Sequence, residues 1–157
     1  MKKTHLLLLA VAVLLLMSSC GNKTIYTEQV DFSNNIWNRF DKKNIKIPFT
    51  SDDVIVDISI AIKYNNDLQY NNVAMYAILT LPSGEERFRE IHVPINRILD
   101  KKIEADSVYE TQAFLWRGVN VSEEGTGNLE IENMIPYFET KGIKQLTVEV
   151  LKSGSDD

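Results

Sequence analysis

Apolar and polar residues alternate with a period of two through most of this chain. The clearest run is "VIVDISIAI" at 54–62. Val54, Val56, Ile58, Ile60 and Ile62 fall on one face; Ile55, Asp57, Ser59 and Ala61 fall on the other. β-branched residues at that spacing predict a half-buried strand. "VAMYAILTL" at 73–81 is apolar on both faces and predicts a central strand, while the more polar "RFREIHV" predicts one near a sheet edge. "SVYETQAFLW" sets Tyr109, Thr111, Ala113 and Leu115 on one side. "LEIENMI" and "IKQLTVEVL" repeat the alternation, and "TIYTEQVDF" and the stretch from "IWNRF" to "IKIPF" are weaker candidates.

Turn chemistry separates these runs. "KYNNDLQYNN" offers Asn and Asp for left-handed geometry, and "LPSGEE" places Pro82 and Gly84 where a turn needs them. "EEGTGN" at 123–128 reads as a loop. A helical period shows only in "PINRILDKKIE", where Ile95, Ile98, Leu99 and Ile103 share a face behind Pro94, and "PYFETKG" at 136–142 fits a single turn stopped by Gly142. About eight strands and at most one short helix predict an all-β sandwich, jelly-roll or immunoglobulin-like, with strand count leaning to the jelly roll. No linker or repeat divides residues 24–151, which read as one domain. The tail 152–157 is small and polar and should be disordered.

The chain opens differently. Lys2 and Lys3 precede twelve uncharged residues, Leu6 to Met17. As a helix these reach ~18 Å, short of the ~30 Å hydrocarbon core, so the stretch has the proportions of a secretory signal. Ser18 and Ser19 then lead into Cys20, the chain's one cysteine. Small-small-Cys behind such a leader resembles the bacterial lipobox. The competing reading is an ordinary signal peptide followed by a stray thiol. The lipobox implies cleavage after residue 19, acylation of Cys20, a tether over 20–23 and stable membrane attachment by several acyl chains. "GNKTIYT" behind the cysteine lacks the acidic run of surface-exported Bacteroidetes lipoproteins, and Gly21 is not the aspartate that retains enterobacterial lipoproteins at the inner membrane. Those resemblances imply an outer-membrane lipoprotein facing the periplasm.

Charge and chemistry narrow the functions. Without residues 1–19 the chain keeps fifteen basic and twenty-two acidic residues, a net −7, which argues against nucleic acid and anionic headgroups as partners. No cysteine remains for a disulfide, a nucleophile or a metal. His92 is the single histidine past the leader and reads as a surface residue; a catalytic triad or zinc site would need companions the sequence does not supply. Glu130 and Glu132 share a strand face, the ordinary exterior of a sandwich rather than a glycosidase pair. Gly125-Thr126-Gly127 lacks the Lys-Ser/Thr of a phosphate loop. No enzyme activity and no cofactor are expected. Trp37 and Trp116 are either core anchors or sugar-stacking surfaces, and Trp116 with Arg117, read as lying just before a loop, is the candidate ligand contact. "DSV" at 106–108 fits a Bacteroides-type O-glycosylation pattern with Ser107 as acceptor.

Three blocks in order resemble the GldH family of gliding-motility lipoproteins from Bacteroidetes: "IYTEQVDFSNNIWNRFD", "YNNDLQYNNVAMYAILTLPSGEERF" and "TGNLEIENMIPYFETKGIKQLTVEV". The resemblance covers about 125 residues behind the lipobox. It implies an accessory lipoprotein of the gliding and type IX secretion machinery, with no catalytic residues to carry over. Two functional readings follow. One is a non-catalytic envelope lipoprotein that binds other envelope proteins. The other is a glycan-binding sandwich module using Trp116 and its neighbouring loops.

Overall fold

The computed structural model describes residues 24–50, 54–95 and 107–153. Ten strands run through them: β1 (Thr24–Asp31), β2 (Ile36–Asn38), β3 (Lys43–Phe49), β4 (Val54–Tyr64), β5 (Asn72–Thr80), β6 (Glu86–Pro94), β7 (Tyr109–Val121), β8 (Gly125–Asn133), β9 (Glu139–Lys141) and β10 (Ile143–Lys152). Eight of them form two four-stranded sheets in the orders β1-β10-β4-β7 and β3-β8-β5-β6, while β2 and β9 pair as a small ribbon. All the pairings are antiparallel. The fold is an all-β sandwich. Its first two long strands, β1 and β3, lie in different sheets, whereas an immunoglobulin sandwich pairs its first two as neighbours. Eight strands crossing between sheets in this order make a jelly roll.

The period-two pattern explains the core. Val56, Ile58, Ile60 and Ile62 of β4 face Val73, Met75, Ala77 and Leu79 of β5 across the sandwich, and all eight are buried. Leu146, Val148 and Val150 of β10 and Leu129 and Ile131 of β8 complete the two inner faces. β5 lies between β8 and β6, as its apolar outer face predicts, and polar β6 takes the sheet edge. Pro48 is tolerated because β3 is also an edge.

Several local expectations change. Residues 125–128 are not loop but the start of β8. Gly127 is in the strand because a Cβ there would meet the Phe49 ring at 2.8 Å and the Thr80 carbonyl oxygen at 2.9 Å. Residues 139–141 form β9 instead of part of a helical turn. Pro94 ends β6 rather than opening a helix; the rest of that expected helix, 96–104, lies outside the described residues. Among the described residues the helical content is one 3₁₀ turn at Ser33–Asn35, where Asn34 and Asn35 both take φ 56°. Asparagine tolerates that region better than most side chains. Residues 154–157 of the tail are also outside the described set.

The register sets two ends to the molecule. Thr24, Lys152, Val121, Phe49 and Thr80 lie at one, with Asp31, Tyr64, Tyr109, Asn133 and Asn72 at the other. The chain enters at the first, here called the root end. At about 3.4 Å per residue, the eight residues of β1 separate the two ends by roughly 24 Å.

Candidate functional site

The far end carries the β2–β9 ribbon, and buried groups fix it there. Trp37 of β2 is fully buried, stacks at 5.1 Å on Phe32 and donates its Nε1–H to the Asp41 carbonyl at 2.9 Å. Asn133, also fully buried, donates to the Trp37 carbonyl at 3.1 Å and to Thr140 Oγ1 at 2.8 Å, and accepts from the Ile135 amide at 2.9 Å. One amide side chain therefore ties β8, both ribbon strands and the following loop together. Gly142, at φ 90°, donates to the Asn35 carbonyl at 2.8 Å and accepts from the Asn65 amide at 2.9 Å. A Cβ there would press into the Asp67–Leu68 backbone.

On this rigid base the ribbon presents aromatic rings to solvent. Phe40 is 73% exposed, Phe138 62% and Tyr137 61%. Phe40 and Phe138 lie 6.2 Å apart, held by a hydrogen bond from the Arg39 amide to the Phe138 carbonyl. Tyr137 lies 6.1 Å from half-buried Tyr70, and Met134 is exposed nearby in sequence. Beside Tyr70 an open depression of about 250 Å³ is lined by Asp67, Gln69, Tyr70, Glu139 and Lys141. Exposed aromatics gathered at one place are unusual on a soluble surface and mark contact sites.

The residues singled out from sequence are scattered. Cys20 lies outside the described residues. Ser107 is half-buried just before β7. Trp116 and Arg117 are within β7, not before a loop, beside a break in the β4–β7 register where Gly118 takes φ 63° and donates its amide to buried Asp57 at 2.8 Å. Trp116 is half-buried and packs on the core; the Arg117 guanidinium stacks 3.8 Å over the Phe114 ring. His92 is exposed, with Nε2 3.0 Å from Glu90 Oε1 and Nδ1 3.3 Å from Asn72 Oδ1. Glu130 and Glu132 sit on the outer face of β8 and share Lys42, at 2.8 and 3.5 Å. That pairing raises the Lys42 pKa above its ordinary value, the Glu130 hydrogen bond first among the causes. Near the root end burial raises the Tyr26 hydroxyl pKa, with a 3.0 Å hydrogen bond to Glu28 adding to it. Among the described residues no group of three His, Cys, Asp or Glu side chains is placed to hold a metal.

Sequence reasoning missed Phe40, Tyr70, Tyr137 and Phe138. The signal was there: each stands in an Asn-, Asp- or Pro-rich turn with no alternating apolar partner.

No curated protein matches this chain in sequence. Among solved structures it is similar to latent PorU from Porphyromonas gingivalis, at 10% identity and TM-score 0.36, covering 87% of this chain and 14% of that one. It is similar too to the CBM22-1 xylan-binding domain of Paenibacillus barcinonensis Xyn10C, at 7% identity and TM-score 0.35, over 88% of this chain and all of that one (100%). A third similarity is to the structure of infectious bursal disease virus strain Gx, at 11% identity and TM-score 0.31, over 87% and 32% of the two chains. At these values none of the three bears on function. The family match does: the GldH lipoprotein family matches residues 24–150, nearly the whole of the described chain. That is a lipoprotein family associated with gliding motility and not a known enzyme family, and this chain belongs to it.

Proposed function

We propose that this protein is a non-catalytic accessory lipoprotein of the outer membrane, anchored through acylated Cys20, facing the periplasm, and working by protein–protein contact within gliding or type IX secretion assemblies. The observation that carries the reading is the exposed Phe40–Phe138 pair on a ribbon fixed by Trp37 and Asn133. Apolar rings on a preorganised base lose little entropy when a partner covers them. Family membership supports the membrane anchor. Exposed His92 and the lysine-shared Glu130 and Glu132 support a role without proton-transfer chemistry.

The test is a photo-crosslinking amino acid at position 138 in the native envelope, with position 55 near the root end as comparison. A reproducible protein adduct from 138 and not from 55, lost when Phe40→Ser is added to the chain that carries the crosslinker, is the expected result. No adduct from 138, or the same adducts from both positions, overturns the docking assignment. Mass spectrometry of the first mature residue tests the anchor separately: Cys20 free of acyl chains refutes it.

A further inference from the structure

The Phe40–Phe138 pair is flat and apolar, but the neighbouring depression differs in chemistry. We propose that Tyr137, Tyr70, Asp67, Gln69, Glu139 and Lys141 form a subsite for one pyranose unit of a neutral saccharide. This does not rest on the protein-docking reading, since it uses other side chains.

A pyranose ring has an apolar C–H face and a rim of hydroxyls, so it needs a flat aromatic surface beside donors and acceptors. Tyr70 lines the depression, and the exposed Tyr137 ring tilts against it at 6.1 Å with an interplanar angle of 37°. Tyr70 in turn packs against the core, so the platform is rooted in the sandwich. Tyrosine offers large contact area at small conformational cost. Gln69 brings both donor and acceptor, Glu139 and Asp67 bring acceptors, and Lys141 brings a donor. Among the described residues no hydrogen bond or ion pair engages the side chains of Gln69, Glu139 or Lys141. The Asp67 carboxylate is already oriented by Asn65 Nδ2 at 3.1 Å.

Size and charge narrow the ligand. At about 250 Å³ the depression is smaller than the ~300–1,000 Å³ of sites that enclose a drug-sized molecule. It fits a single ring with the rest of a chain running outside. Two carboxylates against one ammonium leave the site net negative, which disfavours uronates, phosphates and nucleic acid. The backbone beneath is stiff: Glu139 and Lys141 flank buried Thr140 on β9, and the Asp67–Leu68 backbone lies against Gly142. A site held this way is preorganised.

The experiment uses the full lipidated chain in detergent micelles, titrated with an N-acetylglucosamine tetrasaccharide, cellotetraose and polygalacturonate by calorimetry and ligand-observed NMR. At least one neutral tetrasaccharide should bind saturably, and Tyr137→Ala or Gln69→Ala should each weaken it about tenfold or more. Ile55→Ala, exposed near the root end, should leave the affinity within about twofold, with thermal midpoints confirming that every variant folds. Three results overturn the proposal: no saturable binding of either neutral tetrasaccharide at about 10 mM, tighter binding of polygalacturonate, or an affinity untouched by Tyr137→Ala. Crosslinking at position 138 reads the docking surface independently, so either assignment can fail alone.

Discussion

Gly142→Ala isolates the contact that fixes the ribbon to the sandwich. The substitution does two things at once. It puts a side chain on a residue at φ 90°, and it aims that Cβ at backbone, with Leu68 Cα at 2.7 Å and the Asp67 carbonyl carbon at 2.8 Å. Left-handed backbone costs a non-glycine residue roughly 1–2 kcal/mol. Forcing atoms into a filled space costs about 1–3 kcal/mol more, and backbone is the least able to give way. The sum is about 2–5 kcal/mol, a large share of the ~5–15 kcal/mol that holds a domain folded. Gly84 supplies the control. It has nearly the same torsion, φ 85°, but no atom lies within 4 Å of where its Cβ would stand. Gly84→Ala should therefore show the torsional cost alone. With a urea slope near ~2 kcal/mol per M, Gly84→Ala lowers the unfolding midpoint by about 0.5–1 M and Gly142→Ala by about 1–2.5 M. Equal midpoint shifts for the two variants, at unchanged slope, would refute the close approach of Gly142 to residues 67–68.

Asn133→Ala removes the acceptor of the Ile135 amide and the donor to buried Thr140 Oγ1; at ~1–3 kcal/mol for each buried group left unpaired, equilibrium unfolding should show a loss of about 2–6 kcal/mol. The Phe40→Ser/Phe138→Ser chain should instead stay within about 0.5 kcal/mol of the parent in the same assay, since both rings are exposed. Alkaline stability follows from two groups whose folded pKa is raised, Tyr26 above 10.0 and Lys42 above 10.5. For such groups the stabilisation is complete below the unfolded value and lost as pH climbs through the folded one. Urea midpoints should therefore carry no pH dependence from either between about pH 6 and 9 and decline above about 10, with Lys42→Met removing only the upper part of the decline.

Strands were legible where side chains alternate between core and solvent. β4, β5, β7 and β10 could be read because burial there is one-sided or complete, and the pattern records which. β8 was half hidden: glycine is a turn signal in isolation, and nothing local announces that Gly127 must fit under Phe49. β2 and β9 were less legible still. Each has three residues, too few for a period, and what holds them is Asn133, 96 residues distant from Trp37 along the chain. Trp37 and Trp116 show the same limit from the other side. Composition leaves a tryptophan free to be core or platform; tertiary contacts bury the first fully and the second in part. The site itself joins residues 67–70 to 137–141, segments brought together by the pairing of Ile143 with Tyr64 and by the Gly142 turn.

The jelly-roll connectivity also decides which way the exposed rings face. The connections 32–42, 65–71 and 134–142 all gather at the far end, while the root end holds the tight turns 81–85 and 122–124. On the lipidation at Cys20 proposed above, a four-residue tether extends at most about 14 Å, and β1 adds roughly 24 Å before the first far-end residue. A body standing on that tether carries Phe40, Tyr137 and Phe138 well beyond the headgroups of its own leaflet. Lipid at the point of attachment then leaves these rings uncovered, and ligands approaching from the aqueous side meet them first. A flat apolar pair and a polar-rimmed tyrosine pair at that end suit two different visitors, and one strand's length of rigid sheet keeps both clear of the anchor.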